Sequence, residues 1–103
     1  ITAADLSARL TRDPNLLLLD VREPHELQIS SLPGGVTNIP LGELAARLPE
    51  LDTAREMIVF CKAGTRSARA LELLVSAGFK KVKNLKGGIN SWAKDVDTSL
   101  PVY

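Results

Sequence analysis

The chain has 103 residues, 45% of them hydrophobic, and a formal net charge of +1. That is enough for one small domain with a real core, and the near-neutral balance selects no partner class by bulk attraction. The leucine run at 16–19 is far too short to span a bilayer, no signal peptide is recognisable, and the absent initial Met suggests a single domain, 1–103, excised from a longer protein.

In chain order, "TAADLSARLTRD" opens with a Thr or Asp capping signal and places Leu6 and Leu10 at helical spacing, which predicts a helix over about 3–11. "NLLLLDVR" is an apolar run bounded by polar residues, the pattern of a strand buried on both faces. Pro24 suits the first turn of a short helix, "PHELQIS". "LPGG" is a turn, and "VTNIP" a short strand stopped by Pro40. "LGELAARLPEL" has helical spacing at Leu41, Leu44, Ala45 and Leu48 and is expected to end at Pro49. "EMIVFC" is a second buried strand. "TRSARALELLVSAG" is a helix with an expected apolar face of Ala68, Leu71, Leu74 and Val75, closed by Gly78. "KVKNL" is a short strand, "KGGINSWAKD" a turn and brief helix around Trp92, and "TSLPVY" an extended tail. Strands alternating with helices predict an α/β fold with a mainly parallel central sheet and helices on both faces.

Charge is unevenly divided. Residues 1–52 carry four basic and eight acidic side chains, residues 53–103 nine basic and four acidic. The only cysteine, Cys61, lies in the basic half, so a positive setting suited to an anionic substrate or an acidic partner is expected around it. Four aromatic residues in no basic–aromatic pattern argue against nucleic acid. One cysteine allows no internal disulfide, and a lone His25 cannot complete a metal site beside it; a reducing cytoplasm is the expected compartment.

Cys61 ends a predicted parallel strand, where open α/β sheets collect their chemistry. The next residues, Lys62, Ala63, Gly64, Thr65 and Arg66, must turn sharply into a helix, and Gly64 tolerates the left-handed backbone such a turn needs. If 62–66 wrap the sulfur, their N–H groups form an anion nest, strengthened by a helix N-terminus and by Lys62 and Arg66. Each favours the thiolate, the form that attacks. Free cysteines are often merely buried filler, but the glycine, the arginine and the strand-to-helix position together favour a nucleophile.

"CKAGTR", preceded by "LLLLDVREPHEL" and "LPGGVTNIPL" and followed by "NLKGGINSW", resembles a rhodanese domain over essentially the whole chain, with the pieces in the family's order. The resemblance implies a three-layer fold and a sulfurtransferase. Protein tyrosine phosphatases and their Cdc25-type relatives have five residues between Cys and Arg; here four intervene, as in the family's sulfurtransferases, and a tighter ring suits one sulfur better than a tetrahedral phosphate. Cys61 is then expected to hold a sulfane sulfur as a persulfide, taken from thiosulfate or another persulfide by a ping-pong reaction of the thiosulfate:cyanide type, without metal or organic cofactor. A Cdc25-like phosphatase or arsenate reductase and a non-catalytic interaction module are the competing readings.

Asp20 and Arg22 end the first strand, at the same sheet edge as Cys61. Arg22 is expected to pair with Glu26, four positions on, and Asp20 either to bond loop N–H groups or to restrain Arg66. His25 is expected on a surface helix without a catalytic role, and Trp92 and its preceding "KGG" to pack and turn. Lysines 80, 81, 83 and 86 form a solvated face or a docking surface. Ser31 before the "LPGG" turn, and Gly35 within it, depart from the His/Arg and Ala common in the family, so no charged substrate contact is expected there. The ending "GGINSWAKDVDTSLPVY" resembles the C-terminus of MoeB/MoeZ-type molybdopterin-synthase sulfurylases. That likeness implies a fused N-terminal E1-like adenylyltransferase and an acidic ubiquitin-like sulfur carrier as acceptor, in molybdopterin, thiamine or tRNA thiolation.

Overall fold

The computed structural model describes residues 1–103. Thr2 accepts the Asp5 N–H and starts α1, Ala3–Arg12, with Leu6 buried beneath it. Strand β1, Leu17–Asp20, leads through a 3-10 turn, Pro24–Gln28, to β2, Val36–Asn38. Helix α2, Leu41–Arg47, stops two residues before Pro49; Pro49 itself lies in a 3-10 turn, Leu48–Glu50. Strand β3, Met57–Phe60, feeds α3, Thr65–Ser76. The short β4, Val82–Asn84, precedes α4, Gly88–Asp95.

The sheet is wholly parallel, in the order β2-β1-β3-β4, as the alternation of strands and helices predicts. Side chains alternate across it. Leu17, Leu19, Met57, Val59 and Cys61 face Leu44, Ala70 and Leu74 of α2 and α3. Leu16, Leu18, Ile58 and Phe60 face Ala3, Leu6, Ile89 and Trp92 of α1 and α4. The central strands are therefore buried on both faces, and Trp92 packs as expected. No helix is long and apolar enough to cross a membrane.

One helical face is rotated from its expected setting. Ser67, Ala70 and Leu74 are the buried residues of α3, whereas Val75 is 58% exposed and Ala68 is also exposed. Ala68 and Val75 lie about a quarter turn off the buried stripe. Their apolar character predicted a stripe through them; the inward stripe instead joins Ala70 and Leu74, packed in the core, to Ser67, which faces the sulfur of Cys61. At the far end, Gly78 (φ +95°) follows the helix, with the Phe79 N–H on Leu74 O and the Gly78 N–H on Val75 O. This is a Schellman closure, and it confirms the expected stop.

Candidate active site

The order in which strands are added reverses between β1 and β3: the chain leaves β1 for β2 on one side, and β3 lies on the other, all four running parallel. The carboxyl ends at such a switch point form a crevice. Asp20 ends β1 opposite Phe60, and Cys61 follows directly, so both lie at that edge.

The loop after Cys61 is shaped from two sides. Gly64 is the N-cap of α3, with φ +109° and no side chain to accept the helix's free N–H groups. The Cys61 sulfur takes that place, accepting the N–H of Gly64 at 3.1 Å and of Ser67 at 3.4 Å. On the outer side, the first N–H groups of α4 reach the loop's carbonyls, Ile89 on Cys61 O at 2.9 Å and Asn90 on Lys62 O at 3.0 Å. A trans peptide directs its C=O and N–H oppositely. Turning these carbonyls toward α4 therefore turns the N–H groups of Lys62 and Ala63 the other way. This approach requires Gly88: a Cβ there would lie 2.4 Å from Lys62 O and 2.6 Å from Cys61 O. The "KGG" turn is structural, as expected, and its structure is that of the cradle's outer wall.

Burial pushes the Cys61 thiol up. The Ser67 hydroxyl and the N–H groups of Ser67, Gly64 and Ala63 outweigh it and hold the thiol below its ordinary value. Hydrogen bonds, as the expected N–H nest would supply, carry this effect more than the full charges of Lys62 and Arg66. The Arg66 guanidinium forms a two-pronged pair with Glu26, at 2.7 and 2.9 Å, and the Lys62 ammonium lies over the Tyr103 ring, 4.9 Å from its centre.

The expected partners of the support residues are exchanged. Arg22 does not pair with the Glu26 carboxylate, and Asp20 does not restrain Arg66. Arg22, fully buried, is gripped by both Asp20 oxygens (2.7–3.1 Å) and gives its remaining N–H groups to Glu26 O, Ser30 O and the Tyr103 hydroxyl. All five guanidinium donors are thereby used, which frees the Glu26 side chain for Arg66. The i, i+4 spacing suggested a helical pair, but Arg22 lies at a bend before the 3-10 turn that holds Glu26, and its side chain is buried against Asp20. Glu26 falls to about 2, through its hydrogen bonds from Arg66 above all, against the opposing effect of burial. His25 is exposed.

Three residues at the site were missed in the sequence. Ser67 touches the sulfur, and counting helix positions would have found it, because it is the third residue of α3. Asn84 accepts from Ser67 at 2.7 Å. Tyr103 bridges Arg22 and Glu26 through its hydroxyl, while Asn90 holds its backbone, so the expected extended tail is fastened to the site. Of the four lysines, only Lys86 lies at the Cys61 edge: β4 runs parallel to β3, which leaves Lys80 and Lys81 at the opposite end and Lys83 on the strand itself. A hollow of about 330 Å³ lies between α1 and Trp92 and does not include Cys61. The cysteine sits instead on the floor of a tight loop, 1% exposed.

Comparison with known proteins places the chain in a family. The family model for the rhodanese-like domain matches residues 2–95. Adenylyltransferase and sulfurtransferase MOCS3-1 of Zea mays is 40% identical over 94 residues, covering 84% of this chain. The chain spans about a fifth (20%) of that protein's length. A sulfurtransferase of Allochromatium vinosum is 33% identical over 91% of this chain and 87% of its own length. Among solved structures, a rhodanese-related protein from Thermoplasma volcanium superposes with a TM-score of 0.83 at 36% identity, covering 100% of this chain and 95% of that one. The expected three-layer fold and the likeness to adenylyltransferase–sulfurtransferase proteins both hold, and the chain belongs to the rhodanese-like domain family of sulfurtransferases.

Proposed function

We propose that the chain transfers sulfane sulfur by carrying it as a persulfide on Cys61. The observation that carries this reading is the set of N–H groups converging on the sulfur itself, at 3.1 Å from Gly64 and 3.4 Å from Ser67. Donors placed there favour a thiolate and the charge of a sulfur bound to it. Lys62, Ala63, Gly64, Thr65 and Arg66 form the ring that receives the donor, with Arg66 fixed by Glu26 and the ring's surroundings fixed by Asp20 and Arg22. A cysteine so enclosed suits a small terminal sulfur, as in thiosulfate or a protein persulfide, better than a phosphate ester. The thiolate attacks that sulfur and the rest of the donor leaves as an anion; cyanide or a thiolate then attacks the outer sulfur and returns the pair to Cys61, whereas with an activated protein carboxylate the outer sulfur attacks the acyl carbon, the activating group leaves, and an external thiol breaks the S–S bond to free the thiocarboxylate.

The acceptor we favour is an acidic ubiquitin-like sulfur carrier, delivered by an E1-like adenylyltransferase fused upstream. This follows the likeness to the maize adenylyltransferase and sulfurtransferase, and Lys62 and Lys86 give the site edge a positive rim. A reducing compartment such as the cytoplasm suits a working thiol.

The direct test is intact-protein mass after incubation with thiosulfate and removal of excess, beside a Cys61→Ser control. A gain of one sulfur that reductant and the substitution both abolish is the expected result. No gain from thiosulfate or from a persulfide donor sinks the reading and turns attention to phosphate esters.

A further inference from the structure

Three contacts converge on one hydroxyl beneath the sulfur. Ser67 is fully buried, and its Oγ lies 3.3 Å from Cys61 Sγ, 2.7 Å from Asn84 Oδ1 and 3.2 Å from Gly64 O. A hydroxyl has one proton and two lone pairs. The two oxygens only accept, and the nearer belongs to Asn84. With its proton on Asn84, Ser67 turns a lone pair toward the sulfur. That accepts a thiol S–H, costs little beside an uncharged bridging sulfur, and repels a thiolate. A thiolate is met only when the hydroxyl swings toward it and releases Asn84.

We propose that Ser67 is a further catalytic residue, whose hydroxyl turns between Asn84 and the Cys61 sulfur as that sulfur loses and regains charge during transfer. This rests on the persulfide reading above. In loading, the Cys61 thiolate attacks the outer sulfur of thiosulfate. The bond from Sγ to that sulfur forms, the thiosulfate S–S bond breaks, and sulfite leaves with the electron pair. Negative charge now sits on the outer sulfur of the persulfide, Sγ is a neutral bridge, and the hydroxyl returns to Asn84. In unloading, an acceptor thiolate attacks the outer sulfur. The bond to Sγ breaks, its pair returns to Sγ, and the hydroxyl swings back to meet the charge. No net proton is taken up or lost in either step. Asn84, placed by the end of β4, is a positioning residue that holds the hydroxyl away while Sγ is neutral.

The roles separate in a pH series. A hydrogen bond to a charged group is strong enough for Ser67→Ala to raise the midpoint of Cys61 alkylation by roughly one pH unit. Loading from thiosulfate should slow at neutral pH and recover at alkaline pH, where the thiolate is fully formed. Unloading to a small thiol, followed in a single turnover by mass, should be about ten-fold slower at every pH, because the departing thiolate loses its donor. Asn84→Ala removes the competing acceptor and should lower the alkylation midpoint. A merely structural serine would slow both steps alike at all pH values. An unchanged midpoint and unloading rate in Ser67→Ala, or a raised midpoint in Asn84→Ala, overturns the proposal. If the unaltered chain takes up no sulfur, the persulfide reading fails instead, while the alkylation midpoints still report whether the hydroxyl meets the thiolate.

Discussion

The closest approach in the cradle is also the easiest to challenge. Gly88→Ala sets a Cβ 2.4 Å from Lys62 O, 2.5 Å from Lys62 C and 2.6 Å from Cys61 O, all backbone atoms with no flexible side chain to yield. It also demands φ +64° of an L-residue. The left-handed backbone costs about 1–2 kcal/mol, and the enforced overpacking about 1–3 kcal/mol more. The sum, roughly 2–5 kcal/mol, is a large share of the 5–15 kcal/mol typical of a domain. Two other glycines separate these contributions. Gly78 has φ +95° but open space around its Cβ position, so Gly78→Ala carries the backbone cost alone. Gly42, in α2, has open space and no positive φ, so Gly42→Ala should be neutral or stabilising by up to about 1 kcal/mol. Urea titration of the three variants measures the stabilities, and Cys61 alkylation reports whether the loop was displaced. If Gly88→Ala costs no more than Gly78→Ala and leaves alkylation unchanged, α4 does not form the cradle's outer wall and the derivation of its N–H directions fails.

Asp20→Ala should destabilise by about 3–5 kcal/mol in the same titration, because it strands the fully buried Arg22 without its carboxylate; a cost under about 1 kcal/mol would mean that the other Arg22 contacts suffice. Glu26 gives a pH test. Its folded value, about 2, lies below its ordinary one, so its contribution is complete above the ordinary carboxylate range and fades as pH falls toward and through about 2. Glu26→Gln should therefore be less stable than the unaltered chain near neutrality, by about 2 kcal/mol, with the gap closing in acid. Parallel acid-unfolding curves for the two chains would contradict that assignment.

How far the sequence could be read depended on whether a feature was local. The buried strands announced themselves because apolar runs flanked by polar residues have few other uses, and α3 and its Gly78 closure follow from helical spacing and a glycine's left-handed backbone. Cys61 was identifiable because the glycine and arginine that shape its loop lie within five positions of it. The ring of 62–66 was therefore legible as a unit, although the direction of each N–H was not.

The chain alone determined an α/β domain, its strand-to-helix turn at Cys61 and the residues available there, since each depends on interactions between near neighbours. Only the tertiary structure decided which groups meet across the crevice. Asp20 takes Arg22 and Glu26 takes Arg66, because the exit from β1 directs one guanidinium into the core and leaves the other at the rim. Asn84, Gly88 and Tyr103 reach the site from 23 to 42 positions beyond Cys61, through β4, α4 and the tail. No local period encodes such contacts, because they form only when separate elements pack against the same sheet edge.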